Sequence, residues 1–440
     1  MYVHYPQSKL IHNDIMKMME IKMTMNNNKI TNSKITPATK ESSFSLQEFY
    51  EWLCGFTDGE GNFYFGRKGS TNTFQFFFQI QLHIDDFHAL LHIRDTLGLG
   101  RVSEFKNTCI FRVDNFEGIE KLIKIFEEYP LNSTKWLNFL SFKEAFELYI
   151  NSSNKTLDLI LKLEGIKSGI NSKRTDYIFP AHHNYRITPY WLLGFIEAEG
   201  SFFIKSKELS LIFNISQAFT DLGLMEAIQR FIQNLVAQEN SRPELDKLNK
   251  ANNYVRLVTS KNELGIKKLC QIIVNQHGFI REALIPFLNS LNWQTKKKKD
   301  FEDWVSILML RDKGFQYTDD GLILIELIIS QMNSRRLSNS GKATVDRELL
   351  HKEINLMLSK PSNLEIRNGN LWIISHNRFI KGVTQNEIQL IDDKGEVART
   401  FYTFKDCANY LEVSLQTIPN RINKNSLFKF RGRLYTLKKV

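Results

Sequence analysis

Two glutamates, Glu60 and Glu199, lie 139 residues apart in nearly the same surroundings. The flanking stretches read EWLCGFTDGEGNFYF (51–65) and YWLLGFIEAEGSFFI (190–204). Each glutamate ends a helix-length segment closed by a glycine, Gly61 or Gly200. A carboxylate there faces the negative pole of its helix. Two such ends side by side repel unless a cation lies between them. Carboxylates from two helices, completed by phosphate oxygens, form a natural Mg²⁺ site. Metals held this way activate water and stabilise the leaving oxygen in phosphodiester hydrolysis. An isolated acidic pair would read more simply as solvated surface charge, but a frame of Trp, Leu, Gly and Phe repeated in register argues against that.

The elements needed to place the two carboxylates are legible. Ser45 with Glu48 forms a capping box before the first segment. Thr188 with Pro189 opens the second. Gly61 and Gly200 end the helices. Gly55 and Gly59, and Gly194 and Ala198, are four apart and share one stripe of each helix. Stripes without large side chains let two backbones approach closely, so the helices are expected to pack stripe to stripe. A mid-helix glycine otherwise costs about 1 kcal/mol against alanine.

The segments after each helix also repeat. NFYFG and SFFIK read as strands, with FQFFFQIQLHI and LSLIFNISQ next, which alternate apolar and mostly polar positions. Asp86 and Asp221 are expected to open amphipathic helices, and the strands CIFRV and YVRLV come after them. Each half therefore reads α-β-β-α-β-β-α. The polar strand faces offer candidate nucleic-acid contacts at Arg67, Gln75, Gln79 and Gln81, and at Lys205, Asn214 and Arg256. Gln and Asn read base edges; Arg and Lys read guanine or hold phosphate.

Composition sets the outer bounds. The 440 residues are 42% hydrophobic and 24% charged, a globular balance long enough for two or three domains. Net charge is +10, unevenly spread: residues 331–440 hold 19 Lys and Arg against 10 Asp and Glu, leaving 39 against 38 in the first 330. A basic C-terminal part points to a polyanionic partner. Four cysteines stand far apart with no Cys-x-x-Cys pair, against a zinc site or a disulfide framework. GLILIELIIS (321–330) is too short and too charged to span a bilayer. Residues 1–44 are rich in Met, Asn and Lys, contain no arginine, and read as a disordered extension without a signal peptide or an import signal. The preference for Phe, Asn, Lys and Ile hints at an A/T-rich genome.

The segments LCGFTDGEG (53–61) and LLGFIEAEG (192–200) closely resemble the signature of the LAGLIDADG homing endonucleases in their single-chain, two-motif form. The resemblance covers roughly residues 46–310. It implies an α+β molecule with two pseudo-symmetric halves, 45–165 and 166–310. Their signature helices pack at the centre, and two saddle-shaped antiparallel sheets straddle double-stranded DNA in the major groove. It further implies a monomeric, Mg²⁺- or Mn²⁺-dependent nuclease with Glu60 and Glu199, beside Gly59 and Ala198, at the metals. A pocket lysine near each scissile phosphate falls on Lys135 and on Lys297, each followed at the same offset by Phe139 or Phe301. A glutamine at the end of the second strand falls on Gln217, whereas the first half has Leu82 there. Thr57 also departs from the usual apolar residue, so the site is expected to be asymmetric.

Residues 391–440 resemble the small helix-turn-helix-like modules appended to such enzymes. TFKDCANYLEV reads as a first helix, SLQTIPNRINK as a second capped by Ser414, and FRGRLYTLKK as a basic strand. Gln416, Thr417, Asn420 and Arg421 would then face a DNA groove, with Arg431 and Arg433 on the strand. Residues 311–390 read as a linker with some helix. The family serves in two roles, site-specific DNA cleavage that moves its own intron and maturase action on group I intron RNA. Synthesis inside a mitochondrion is expected.

Overall fold

The computed structural model describes residues 44–439 apart from 70, 182, 206–208, 239–253, 262, 341–344, 368–369, 381–387 and 402–403. The expected N-terminal extension, 1–44, lies outside the described residues except for Phe44. Those described fall into two compact units: one runs to Val305 and includes Ile329–Val345, the other comprises Ser306–Ile328 and residues from Asp346 onward.

The first unit holds the repeat. Helix α1 (Leu46–Glu60) starts on the capping box, with Ser45 Oγ accepting from the Glu48 amide at 3.2 Å and Glu48 Oε2 from the Ser45 amide at 2.8 Å. Strands β1 (Gly61–Arg67) and β2 (Phe74–His83) come next, then α2 (Phe87–Leu97), β3 (Arg101–Glu104), β4 (Thr108–Val113) and α3 (Phe116–Glu128). Helices α4 (Lys135–Asn151) and α5 (Leu157–Lys167) close the first half.

The second half repeats this order. Helix α6 (Pro189–Glu199) is capped by Thr188 Oγ1, which accepts from the Trp191 amide at 3.2 Å. Then come β5 (Gly200–Lys205), β6 (Ser210–Ala218), α7 (Leu222–Gln238), β7 (Val255–Lys261) and β8 (Lys267–Val274). After a helical stretch over 277–289, which contains a π turn, come α8 (Lys297–Asp312) and α9 (Asp319–Ser330), of which Ser306–Ile328 belongs to the other unit.

The two four-stranded antiparallel sheets have matching order, β1-β2-β4-β3 and β5-β6-β8-β7. Their registers match too: Gly61 pairs with Ile80 as Gly200 pairs with Ile215. In β2 the even positions Phe74, Phe76, Phe78 and Ile80 are buried, while Gln75 and Gln81 are exposed and Gln79 is half-buried. The buried rings meet helix rings: Phe63 lies 5.6 Å from both Phe126 and Phe139 and 5.5 Å from Phe142, centroid to centroid. Among the described residues no helix is long and apolar enough to cross a membrane.

Helices α1 and α6 pack along their small residues. A methyl built on Gly55 would lie 1.9 Å from Trp191 O, and one on Gly194 2.1 Å from Trp52 O. One on Gly59 would lie 2.2 Å from Ala198 Cβ. Backbone contacts backbone, so no side chain fits there. The closing glycines end the helices as expected. Gly61 (φ −70°) and Gly200 (φ −73°) are extended rather than left-handed and lead straight into β1 and β5. Glycine is needed there because a Cβ would lie 2.8 Å from Thr57 O at Gly61 and 2.6 Å from Ile196 O at Gly200.

Two boundaries also shift. Residues 311–390 hold α9, helix α10 (Arg347–Ser359) and a three-stranded sheet of β9 (Leu364–Arg367), β10 (Asn370–Ile373) and β11 (Arg378–Phe379), so they are not a plain linker. Residues 329–345 cluster with the repeat unit, which therefore extends past 310.

The C-terminal part is a four-stranded sheet with two short helices. Strands β12 (Ile388–Asp392), β13 (Val397–Phe401), β14 (Phe428–Phe430) and β15 (Arg433–Lys439) are ordered β13-β12-β15-β14. Helices α11 (Phe404–Leu411) and α12 (Thr417–Lys424) connect them, and Cys407, Leu411 and Ile418 share a core with Ile388, Leu390 and Leu437. The expected single strand over 430–439 is a hairpin, because Arg431 (φ 45°) and Gly432 (φ 85°) form a tight turn that pairs Phe430 with Arg433. Ser414 does not cap α12, which starts at Thr417 without a side-chain cap; its hydroxyl meets Thr417 Oγ1 at 2.8 Å instead.

Candidate nuclease site

The seam carries the two glutamates to one place. A methyl on Gly59 would stand 3.5 Å from Glu199 Oε1, so the Glu199 carboxylate lies against the end of α1. Burial raises the proton affinity of Glu60 and the Glu199 carboxylate adds to it, while Lys135 and Lys297 oppose the shift. The Lys135 ammonium donates to Thr57 O at 3.2 Å and to Gly59 O, capping the negative end of α1. Lys297 Nζ donates to Gly200 O at 2.8 Å. Burial lowers the affinity of both lysines for their protons; nearby carboxylates, Asp58 and Glu60 for Lys135 and Asp300 and Asp86 for Lys297, oppose this. The two lysines therefore hold different carbonyls. A cavity of about 400 Å³ brings Glu60 of the first half together with Lys297 of the second.

A second pair of acids positions these groups. Asp58 is buried and accepts from the amides of Asn132 and Ser133, both at 2.8 Å, and from Ser133 Oγ at 2.6 Å. Glu197 is buried and accepts from the amides of Gln294 at 2.8 Å and Thr295 at 2.6 Å, and from Thr295 Oγ1 at 2.9 Å. These turns lead into α4 and α8, which begin at the two lysines. Ser133 Oγ accepts from the Lys135 amide at 3.2 Å and Thr295 Oγ1 from the Lys297 amide at 3.3 Å. Each acid also crosses the seam. Trp191 Nε1 donates to Asp58 at 2.9 Å and Trp52 Nε1 to Glu197 at 2.5 Å. The matching Asp58/Glu197 and Trp52/Trp191 positions of the repeat were the available signal in the sequence.

Asp86 and Asp221 stand directly before α2 and α7, which open after them as expected. Asp86 makes no cap bond to α2. It accepts instead from the Lys296 amide at 2.9 Å and pairs with Lys296 Nζ at 2.6 Å. Asp221 accepts from the Thr134 amide at 2.6 Å and from Thr134 Oγ1 at 3.0 Å. Each aspartate thus holds the residue just before the pocket lysine of the opposite half.

Leu82 and Gln217 occupy equivalent register positions, opposite Cys109 and Cys270. The two halves therefore carry different residues at this position. On the polar sheet faces, Gln79 and Arg112 pair in register, Gln79 Oε1 accepting from Arg112 Nη2 at 2.6 Å. Arg112, absent from the expected contacts, also lies 4.1 Å over the Phe77 ring. Asn214 and Arg256 both face Ile273 in register, Lys205 is exposed at the end of β5, and Asn214 Oδ1 accepts from Ser216 Oγ at 2.9 Å. Arg67 does not join the polar row. It shares the parity of buried Phe63 and Phe65 and pairs with Glu164 of α5 at 3.1 Å. In α12, Gln416 just before the helix and Asn420 are exposed, while Arg421 lies 4.0 Å over the Phe428 ring. Arg431 pairs with Glu412 at 3.4 Å, and Arg433 is exposed.

The sequence model of the LAGLIDADG endonuclease family matches residues 53–146 and 192–308. The segments coincide with the two halves, and through them the chain belongs to that family. The mitochondrial protein RF1 of Saccharomyces cerevisiae is 28% identical over 95% of this chain and 87% of its own length. The probable intron-encoded endonuclease Cox1-I1b of Schizosaccharomyces pombe is 30% identical over 53% of this chain and 61% of its own length. Among solved structures, the I-LtrWI LAGLIDADG homing endonuclease bound to target DNA is 25% identical, with a TM-score of 0.55 over 66% of this chain and 99% of that one. The meganuclease I-AabMI bound to uncleaved DNA is 27% identical, with a TM-score of 0.52 over 64% and 99%.

Proposed function

We propose that this chain is a site-specific DNA endonuclease that hydrolyses one phosphodiester bond in each strand of its target, with Mg²⁺ or Mn²⁺ as cofactor. The observation that carries this reading is the seam: backbone-to-backbone packing at Gly55 and Gly194 sets Glu60 and Glu199 beside each other, each with a half-buried lysine near its helix end. The donor set suits a hard divalent cation. It consists of the Glu60 and Glu199 carboxylates, because the Gly59 and Gly200 carbonyls already accept from Lys135 and Lys297. Two protein carboxylates leave the remaining positions to water and substrate phosphate, as Mg²⁺ prefers. Glu60 and Glu199, beside Gly59 and Ala198, would hold the metal, which supplies Lewis acidity and an activated water.

The chain's own residues do the rest. Asp58 and Glu197 fix the turns that start α4 and α8. Lys135 and Lys297 keep positive charge beside the carboxylates and act on the leaving or attacking oxygen. Gln217 serves the second half, where the first has Leu82, so the two strands are cut at unequal rates. The row from Gln79 through Arg112, and its counterpart with Asn214 and Arg256, reads the duplex, aided by Gln75, Gln81 and Lys205. The C-terminal sheet adds phosphate contacts through Arg433, with Gln416 and Asn420 on the neighbouring helix. One chain carries both half-sites, which supports action as a monomer.

The names of the relatives support origin inside a fungal mitochondrion and mobility of the chain's own intron. The same context supports a second role, helping group I intron RNA to splice. A test combines Glu60→Gln with Glu199→Gln. The double variant should bind but not cut cloned organelle DNA lacking the intron, and should retain any splicing activity.

A further inference from the structure

The repeat continues past both family segments. After α5 the chain reads Asn171-Ser172-Lys173-Arg174, and after α9 it reads Asn333-Ser334-Arg335-Arg336. Both asparagines are left-handed, with φ of 57° and 55°, a conformation Asn tolerates better than most residues. Asn171 Nδ2 donates to Phe63 O at 2.8 Å, and Asn333 Nδ2 to Phe202 O at 2.9 Å. The Asn171 amide donates to Asn138 Oδ1 at 3.0 Å, and the Asn333 amide to Asp300 Oδ1 at 2.9 Å. Arg174 Nε reaches the same Asn138 oxygen at 2.8 Å, and Arg336 Nε the same Asp300 oxygen at 2.9 Å.

The anchors are related to the site by sequence. Phe63 and Phe202 follow Glu60 and Glu199 by three residues; Asn138 and Asp300 follow Lys135 and Lys297 by three. Each turn therefore clasps the strand leaving a glutamate to the helix beginning at a lysine. The clasp accounts for the Asn and the Arg of each turn. It does not account for the cation between them. Lys173 and Arg335 are exposed and form no ion pair with a described residue. Both halves nonetheless place a cation at this position of a backbone fixed by the same bonds. In the second half the turn borders the cavity that Glu60 and Lys297 line, through Asn333 and Ser334.

We propose that Lys173 and Arg335 are a matched pair of positioning residues, each holding the phosphate backbone of one DNA strand beside its half-site. They touch neither the metal ligands nor the bond being cut. Arg335 can grip a phosphate with two parallel bonds, whereas Lys173 offers a point charge. The second half-site is then the more tightly held. The proposal rests on the endonuclease reading.

The test uses the full chain and its mapped target duplex. Metal-free binding is measured across a salt series, and the cutting of each strand is followed separately with Mg²⁺. Lys173→Gln and Arg335→Gln should each lower the slope of log affinity against log salt by about 0.9. Each should slow one strand, and the two should slow opposite strands. Lys121→Gln, at an exposed lysine on α3, controls for lost charge and should leave strand preference unchanged. Melting temperatures should stay at the wild-type value, which separates these side chains from the clasp itself. Wild-type slopes and strand rates in both variants would overturn the pair alone. A wild-type protein that neither binds nor cuts would overturn the endonuclease reading and the pair with it.

Discussion

Trp52 Nε1 donates to Glu197 Oε2 at 2.5 Å, from one signature helix to the other. Trp191 repeats the contact to Asp58. The indoles therefore tie each half's positioning acid to the other half. Removing one donor from a buried carboxylate costs about 1–3 kcal/mol. Trp52→Phe and Glu197→Gln should each destabilise the protein, and a double-mutant cycle should give a coupling of at least about 0.5 kcal/mol. Strict additivity in denaturant unfolding would show that the contact carries no energy.

The seam makes a sharper prediction about glycine. Gly55→Ala places a methyl 1.9 Å from the Trp191 carbonyl, which cannot move without opening the helix pair. The cost should match severe overpacking, about 3 kcal/mol or more. Gly165 lies within α5 with nothing within 4 Å of an added Cβ. Gly165→Ala should stabilise by up to about 1 kcal/mol. Equal melting temperatures for the two variants would refute the seam.

Much of this was legible in the sequence, because caps, small-residue stripes and strand alternation are local. Ser45 with Glu48, Thr188 with Pro189, and the even face of β2 all stand where their patterns put them. The features that escaped are non-local. Asp86 and Asp221 look like caps, yet their partners Lys296 and Thr134 are brought near by the pseudo-twofold packing alone. Arg67 looks like a strand-end contact, but strand parity turns it toward Glu164. The turn at Arg431 and Gly432 is hidden because an arginine takes a positive φ there.

Stability should depend on pH through the positioning acids. Burial pushes Asp58 up to about 6 and Glu197 up to about 7, against the hydrogen bonds that both accept. Ordinary values in the unfolded chain are about 3.9 and 4.3. The folded state thus binds more protons between about pH 4 and 7, so this contribution is full below pH 4 and lost as pH rises through 6–7. Metal-free protein should melt lower at pH 8 than at pH 5.5, and Glu197→Gln should flatten the difference. A melting temperature that rises over this interval would contradict the assignment.

The C-terminal sheet should act through charge. Arg433 and Lys438 are exposed on β15. Substituting both with Gln should reduce the salt slope of DNA binding by about 1.8, at about 0.9 per lost phosphate contact. Sequence preference should stay as it was. An unchanged slope would remove this unit from the DNA interface.

Glu60 and Glu199 are proposed to work together at one seam to cut both strands. The direct measurement is a strand-resolved time course on the mapped target with Mg²⁺, comparing wild type, Glu60→Gln, Glu199→Gln and the double variant. A double-strand break is expected with wild type only, with loss of cutting in the double variant and DNA binding retained in all four. A double variant that still cuts would contradict the shared role of the two glutamates.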